Sequence, residues 1–314
     1  MVLGSLAVLL TLFNAQAEDG EYWALKTADK KASLFVTERG KGEQVIVLHG
    51  GFGSDSTYMM DVSNGLESKN RFVFYDQRGS LRSSCKPEDV SFAKHIEDLD
   101  TLRTELKIDK VTIVAHSAGT LLACAYLQKY PTHVKRLVLL GLAQPKSRFA
   151  DSDFPAGKPP YKWADYSKSI SDFNDRPEID AEIKKQGLDG AELSSKQATN
   201  LWRIRYAGAN IYHIDRWREM RGLSHFFNVA ASKATSDLFD TAYDFLEALR
   251  QHKEVPITII EGTHDFCDFG GLLYKSVFAN DAHIKVLVLQ NAGHMMWIDD
   301  RAGFRKAMEQ GLVR

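Results

Sequence analysis

A serine at position 117 lies in the sequence Ala-His-Ser-Ala-Gly, directly after a run of β-branched residues and before a helix-like stretch. This is the form of a nucleophile elbow, a sharp strand-to-helix turn that exposes a serine hydroxyl. The turn is so tight that small residues are needed two positions on either side, and Ala115 and Gly119 supply them. The usual pattern is G-x-S-x-G, so the alanine is one departure from it. The pattern predicts Ser117 as the nucleophile of an acyl-transfer reaction.

An acid and a base that could activate the serine follow later in the chain. A serine hydroxyl is a poor nucleophile until a base removes its proton, and a third group must orient that base. Asp265 and His294 each come shortly after a strand-like run, in the chain order serine, acid, histidine. We therefore predict Asp265 as the orienting acid and His294 as the base. Asp268 is the nearest alternative acid, and His264 is the nearest alternative base.

A glycine-rich loop with the sequence His-Gly-Gly-Phe-Gly at 49–53 follows an earlier strand-like run. Stabilisation of an oxyanion requires backbone N–H groups that come close to the developing negative charge, and glycine permits that approach. We predict two such donors, the N–H of Ala118 directly after the nucleophile and the N–H of Gly51 in this loop. Phe52 is the alternative to Gly51.

The elements that must position these residues form an alternation of strands and helices. Near-continuous apolar runs, typical of strands buried on both faces of a parallel sheet, lie at 44–48, 71–75, 111–115, 136–140, 257–261 and 284–289. Helix-like segments lie at 95–106, 121–130, 236–252 and 299–312, and residues 21–38 alternate as an antiparallel pair would. This order predicts an α/β fold with a doubly wound, mostly parallel sheet of eight strands.

One long stretch separates the strand predicted at 136–140 from the next at 257–261. Residues 144–248 contain no sheet-like run and are rich in tryptophan and tyrosine. A segment of this length without strands is best explained as an inserted helical cap. We predict a signal segment at 1–17, a core formed by 18–143 and 249–314, and a cap at 144–248.

The N-terminal segment has the form of an export signal. Residues 1–13 are almost wholly apolar, and they are followed by Ala15-Gln16-Ala17, a small-residue pattern for cleavage after Ala17. The apolar run is too short to cross a bilayer core of about 30 Å, so stable membrane insertion is not expected. We predict a secreted or periplasmic protein, or a cytoplasmic one if translation starts elsewhere.

The overall composition excludes some classes of partner. The 314 residues include 40 basic and 41 acidic ones, for a formal net charge of −1, and no basic stripe suited to a phosphate backbone is evident. Nucleic acid is therefore not an expected partner. The spacing of histidine and cysteine does not suggest a metal site, and the predicted chemistry needs no metal and no organic cofactor.

Together, these motifs resemble the α/β-hydrolase fold from about residue 30 to the C-terminus. Residues 74–83, Phe-Tyr-Asp-Gln-Arg-Gly-Ser-Leu-Arg-Ser, are similar to the D-x-R-G-x-G-x-S turn of the proline-iminopeptidase-like branch of serine hydrolases, with Leu81 in place of its second glycine. The resemblance implies the sheet order 1-2-4-3-5-6-7-8. Strands four and seven then lie about 19 Å apart, so Cys85 and Cys267 are expected to stay reduced.

The resemblance also implies a serine hydrolase that works through an acyl-enzyme. The first expected activity is that of an aminopeptidase similar to proline iminopeptidase, acting on small peptides or amides, with Asp215 and Glu219 as candidate anchors for the substrate's amine. The elbow form Ala-His-Ser-Ala-Gly is more typical of esterases, so a carboxylesterase or lactonase acting on small esters is the alternative. A non-catalytic, ligand-binding member of the fold is the third hypothesis, and the presence of all three triad residues argues against it.

Overall fold

A sheet of eight strands lies at the centre of the structure. The computed structural model describes residues 21–222, 227–239 and 241–313, so the predicted signal segment at 1–17 lies outside the described residues. The strands are β1 (Tyr22–Lys26), β2 (Ser33–Gly40), β3 (Glu43–Leu48), β4 (Asn70–Tyr75), β5 (Val111–His116), β6 (Val134–Leu140), β7 (Ile257–Gly262) and β8 (Ile284–Leu289). Their order is β1-β2-β4-β3-β5-β6-β7-β8, which confirms the predicted topology. β3 to β8 run parallel, and β2 is antiparallel to both of its neighbours.

The central strands are buried along their whole length because both faces of the sheet are covered. All six residues of β5 and all six of β7 are buried, as expected for parallel strands with helices on each side. Ile113 and Leu137 belong to the hydrophobic cluster on one face, and Val114 and Val138 belong to the cluster on the other. The two clusters hold the strands in register. They therefore also fix the positions at which the strands end.

Helices connect the strands and cover the sheet. They are α1 (Phe92–Glu105), α2 (Ala118–Lys129), α3 (Trp163–Asn174), α4 (Pro177–Lys185), α5 (Ser195–Asn210), α6 (Val229–Thr235), α7 (Leu246–Gln251), α8 (Leu273–Val277), α9 (Met296–Asp299) and α10 (Arg301–Leu312). The helices predicted at 95–106, 121–130 and 299–312 are present as α1, α2 and α10, with ends that differ by at most three residues. In the described part of the chain, no helix is long and apolar enough to cross a membrane.

The continuous helix predicted at 236–252 is wrong. A short 3₁₀ turn covers Ser236–Leu238, and α7 begins only at Leu246. The backbone before α7 is instead bonded to the chain that leaves β6, since the Phe245 N–H donates to the carbonyl of Pro145 at 2.7 Å. The Asp244 carboxylate then accepts the Leu246 N–H at 2.9 Å, and this contact sets the start of the helix.

The described residues between β6 and β7 contain the five α-helices α3 to α7 and no strand. The C-terminal end of α5 reaches the strand ends of the sheet, because the carbonyl of Asn210 accepts the Met295 N–H at 2.8 Å. The division of the chain into a cap at 144–248 and a core at 18–143 and 249–314 stays a prediction.

The carboxyl ends of the parallel strands meet at one edge of the sheet, where ligands bind in open α/β folds. The glycine-rich loop 49–53 follows β3, and Ser117 follows β5 directly. Asp265 lies three residues after β7, and His294 lies five residues after β8. The topology therefore places all the predicted site residues at the same edge.

The turn after β4 is a scaffold of buried ion pairs. Arg78 is fully buried, and its guanidinium donates to both carboxylate oxygens of Asp98 at 2.7 and 2.9 Å and to Asp29 at 2.8 Å. Asp76, also fully buried, accepts from Arg82 at 2.7 and 2.8 Å. These contacts tie the turn to the β1–β2 connection and to α1, and none of them involves the predicted site residues.

Replacement of Arg78 by methionine is expected to lower the free energy of unfolding by about 3–5 kcal/mol, because Asp98 is left buried without its partner. Burial already raises the pKa of Asp98. With a raised pKa and no arginine beside it, Asp98 binds its proton more tightly in the folded state than in the unfolded state. The destabilisation is therefore expected to be larger at pH 8 than at pH 5.5. Urea unfolding at the two pH values measures it. Arg221→Met, which breaks the exposed pair with Asp61, is the matched control and should cost less than about 1 kcal/mol.

Candidate active site

The backbone of Ser117 has an unusual conformation between β5 and α2. Its φ of 54° and ψ of −129° are sparsely populated for any residue with a side chain, and such a conformation costs about 1–3 kcal/mol. Hydrogen bonds hold it: the Ser117 N–H donates to the carbonyl of Leu140 at 3.0 Å, and the Thr120 N–H donates to the carbonyl of Ser117 at 2.8 Å. This is the strand–turn–helix geometry of a nucleophile elbow.

The elbow packs backbone to backbone against the loop after β3. A Cβ atom at Gly119 would lie 2.5 Å from the carbonyl oxygen of His49, and one at Gly50 would lie 2.6 Å from Cβ of Ser117. Glycine is therefore required at both positions. Ala115, in place of the first glycine of the usual pattern, is fully buried in β5 without disturbing the turn.

His294 and Asp265 form a buried hydrogen-bonded pair. The Nδ1 atom of His294 lies 2.8 and 2.9 Å from the two carboxylate oxygens of Asp265, and both side chains are buried. Because a carboxylate only accepts, Nδ1 is the donor, and Nε2 is left free to accept a proton, as a general base requires. The Cys267 N–H also donates to Asp265 at 2.8 Å, which fixes the orientation of the carboxylate.

The backbone that follows β6 packs against the Asp265–His294 pair. At Gly141, which has a φ of +54°, a Cβ atom would lie 2.7 Å from Oδ2 of Asp265 and 2.8 Å from the ring of His294. Both backbone polar groups of the next residue, Leu142, are hydrogen-bonded. Its N–H donates to Oε1 of Glu261 at 2.8 Å, and its carbonyl accepts from the Tyr274 hydroxyl at 2.6 Å. Burial, with the nearby charge of Asp265, raises the pKa of Glu261 well above its ordinary value.

The two alternative residues make other contacts. Asp268 accepts the N–H groups of Leu273 and Tyr274 at 2.8 and 3.2 Å, so it caps the start of α8, and burial raises its pKa to about 6. The ring of His264 packs against Tyr212 at 4.5 Å between centroids. Neither alternative residue is bonded to His294.

One group within residues 21–222, 227–239 and 241–313 has the geometry to hold a metal ion. Asp265, Cys267 and His294 offer ligand atoms within 4.8 Å of one another. The Asp265 carboxylate is already bonded to His294 and to the Cys267 N–H, and burial raises the pKa of the Cys267 thiol, which disfavours the thiolate that a metal would need. The donor set therefore fits an acid–base pair better than a metal site. The three cysteines are free thiols.

A cavity of about 320 Å³ contains Ser117 and His294 in its wall. Its other lining residues are Gly50, Gly51, Ser54, Tyr58, His116, Trp202, Tyr206, Asn210, Phe227, Phe266 and Met295. No aspartate or glutamate is among these described lining residues. In the described structure the Ser117 hydroxyl and the His294 ring are not joined by a hydrogen bond, and catalytic bonds of this kind often tighten only when substrate binds.

Of the two predicted oxyanion donors, Gly51 lines the cavity and Ala118 directly follows Ser117. Gly51 lines the cavity with a φ of +63°. The neighbouring Gly50 N–H donates to the Tyr58 hydroxyl at 2.6 Å, so it is already engaged. Ala118 is the first residue of α2, where N–H groups have no partner within the helix. The side chain of Phe52 packs into the core, and the choice between the N–H groups of Gly51 and Phe52 stays a prediction.

The aromatic residues that line the cavity were not predicted from the sequence. Trp202 and Tyr206, stacked at 5.1 Å between ring centroids on α5, line it together with Phe227 and Phe266. Aromatic residues at helical spacing are usually core residues, so periodicity alone could not select Trp202, Tyr206 and Phe227 from the other aromatics of residues 144–248. Phe266 lies outside that segment, in the loop after β7.

The two acids considered as anchors for a substrate amine do not line this cavity. Asp215 is exposed to solvent. Glu219 is bonded to Arg216 at 2.8 Å and also to Arg301, and it lines a separate surface cavity.

Comparison with known proteins agrees with the fold. Residues 44–300 match the family model described as the alpha/beta hydrolase fold. A proline iminopeptidase of Arabidopsis thaliana is 25% identical over 272 residues, 77% of this chain and 67% of that protein. A thermophilic esterase from Thermogutta terrifontis has a TM-score of 0.62 at 16% identity, covering 92% of this chain and 97% of its own. A proline iminopeptidase-related protein of Thermus thermophilus has a TM-score of 0.62 at 20% identity, covering 93% and 97%.

The chain belongs to the α/β-hydrolase fold family and is a hydrolase. This confirms the predicted family and fold. The two solved structures support the fold, and the roles predicted for Ser117, Asp265 and His294 rest on the geometry described above.

Gly141→Ala is expected to reduce kcat/KM for an activated ester by about 10²-fold, because its methyl group would displace the Asp265–His294 pair. Gly187→Ala is the matched control, since Gly187 also has a positive φ of +64° but its Cβ would meet no atom within 4 Å. The control should lose similar stability through backbone strain and keep its activity. Equal activity of the two variants would contradict the role given to Gly141.

Proposed function

We propose that this protein is a serine hydrolase that cleaves small esters or lactones of uncharged, apolar acyl groups through an acyl-enzyme. The observation that carries the proposal is the composition of the cavity. Ser117 and His294 line it together with aromatic side chains, and no carboxylate among the described residues lines it. Its volume of about 320 Å³ is at the small end for ligand sites, which suits a compact acyl group.

In the proposed reaction, Ser117 Oγ attacks the ester carbonyl while Nε2 of His294 takes its proton. The N–H groups of Gly51 and Ala118 stabilise the oxyanion, and His294 returns the proton to the leaving alcohol. Water then attacks the acyl-enzyme with His294 as base again. Asp265 orients the imidazole and stabilises its charged form throughout.

An aminopeptidase similar to proline iminopeptidase is the second candidate, and it is supported by the relatives that bear that name, such as the protein of Arabidopsis thaliana. Such an enzyme must hold the positive charge of the substrate's amine. In the described cavity the amine would be buried without a carboxylate partner, and an unpaired buried charge is strongly unfavourable. The cavity therefore favours an uncharged acyl group.

The proposed chemistry requires no metal and no organic cofactor. A small-molecule substrate is the proposed partner, and nucleic acid is not expected, because the formal net charge is −1. Export from the cell stays a prediction, since it depends on residues 1–17.

A fluorophosphonate probe is expected to label the wild type at Ser117 and to leave Ser117→Ala unlabelled, because the probe reacts with activated serines. Ser54→Ala is the matched control, since Ser54 lines the same cavity, and this variant should be labelled as the wild type is. Intact-mass spectrometry and peptide mapping measure the adduct. Labelling of Ser117→Ala to the wild-type extent would refute the nucleophile assignment.

A pair of substrates of equal shape separates the two candidate activities. The 4-nitrophenyl esters of cyclopentanecarboxylic acid and of proline differ mainly in the ring amine, so leaving-group reactivity is matched. We expect the uncharged ester to have the higher kcat/KM by about 10²-fold, which corresponds to the roughly 3 kcal/mol cost of an unpaired buried charge. A preference for the prolyl ester would establish the aminopeptidase activity instead.

A further inference from the structure

Three loops must stay in register for the proposed reaction, and they come from three different strands. The loop after β3 carries Gly51, the elbow after β5 carries Ser117, and the loop after β8 carries His294. A shift of about 1 Å between such groups can lower a rate by about 10²-fold. Direct contacts that hold the three loops together are therefore expected in the structure.

Tyr58 and His116 form such a connection. The Gly50 N–H donates to the Tyr58 hydroxyl oxygen at 2.6 Å, and this hydroxyl lies 2.8 Å from Nδ1 of His116. On the other side of the ring, Nε2 of His116 lies 3.1 Å from the carbonyl oxygen of His294. One chain of three hydrogen bonds thus runs from the glycine-rich loop, through the residue before the nucleophile, to the predicted base.

The direction of each bond follows from the groups at the two ends. The His294 carbonyl can only accept, so Nε2 of His116 donates to it. Burial lowers the pKa of His116 well below its ordinary value, so the ring is neutral and its Nδ1 accepts from the Tyr58 hydroxyl. Burial also raises the pKa of Tyr58, which keeps the proton that this bond needs. Each donor and each acceptor in this series of three hydrogen bonds is therefore used once.

Packing holds the same residues in place. The rings of His116 and His294 lie 4.3 Å apart between centroids, and Trp297 contacts the His116 ring edge-on at 5.0 Å. Tyr58 and His116 are both buried, at 7% and 2% exposure. Since the ring of His116 cannot rotate freely, its two nitrogens are fixed toward Tyr58 and toward the backbone of His294.

We propose that Tyr58 and His116 are positioning residues that hold the predicted oxyanion loop and the base in register with Ser117. The bond from Gly50 to Tyr58 engages the Gly50 N–H and fixes the His49–Gly50 peptide, which is next to the peptide that carries the Gly51 N–H. The bond from His116 to His294 fixes the backbone of the base. The inference rests on the proposed function of Ser117 and His294.

Tyr58→Phe tests the inference, with Tyr126→Phe as matched control. Tyr126 is also fully buried and loses one hydroxyl hydrogen bond, to Asp100 at 2.7 Å, but it lies on the far part of α2. We expect Tyr58→Phe to lower kcat on the order of 10- to 100-fold with little change in KM, and Tyr126→Phe to keep the wild-type kcat. Tyr58→Phe removes two hydrogen bonds and Tyr126→Phe removes one, so the unfolding midpoint of each variant is measured and kcat is compared well below both midpoints.

A measurement on the wild type keeps the test independent of whether the variant folds. With ¹⁵N-labelled histidine at pH 7, His116 is expected to show the Nε2–H tautomer with an unprotonated Nδ1. An Nδ1–H tautomer, or a Tyr58→Phe variant with the kcat of Tyr126→Phe, would overturn the positioning role while the wild type is still labelled at Ser117. A wild type that the fluorophosphonate does not label would overturn the proposed function and this inference with it.

Discussion

The strained backbone of Ser117 is the constraint on which the rest of the site depends. A φ of 54° at a residue with a side chain is maintained only because the surroundings leave no alternative. Gly119 lies against the carbonyl of His49, and Gly50 lies against Ser117 itself, so neither position has room for a Cβ. The result is a serine hydroxyl at the start of a helix, where backbone N–H groups and the helix dipole favour a developing negative charge.

Two buried carboxyl groups, those of Asp265 and Glu261, lie near the predicted base His294. Asp265 is fully buried and bonded to His294, so an imidazolium formed during proton transfer would be paired. Burial raises the pKa of the neighbouring Glu261 well above its ordinary value, which favours its neutral form. In that form it accepts the Leu142 N–H without placing its own negative charge beside Asp265.

Much of this arrangement could be predicted from the sequence, because parallel strands buried on both faces leave strong apolar runs and their ends carry the functional loops. Strands β3 to β8 and the positions of Ser117, Asp265 and His294 after them follow from that pattern, and the antiparallel pair β1–β2 follows from the alternation at 21–38. The helix predicted at 236–252 failed because contacts with the chain after β6, distant in sequence, extend its middle. The cavity aromatics such as Trp202 could not be selected, since only tertiary packing decides which of them face the serine.

The proposed site is tested most directly by a crystal structure of the enzyme after reaction with a small alkyl fluorophosphonate, whose adduct mimics the tetrahedral intermediate. We expect a phosphorus atom bonded to Oγ of Ser117, with its oxygen within hydrogen-bond distance of the N–H groups of Gly51 and Ala118 and with Nε2 of His294 close to Oγ. An adduct on another residue, or a phosphonyl oxygen turned away from both N–H groups, would contradict it.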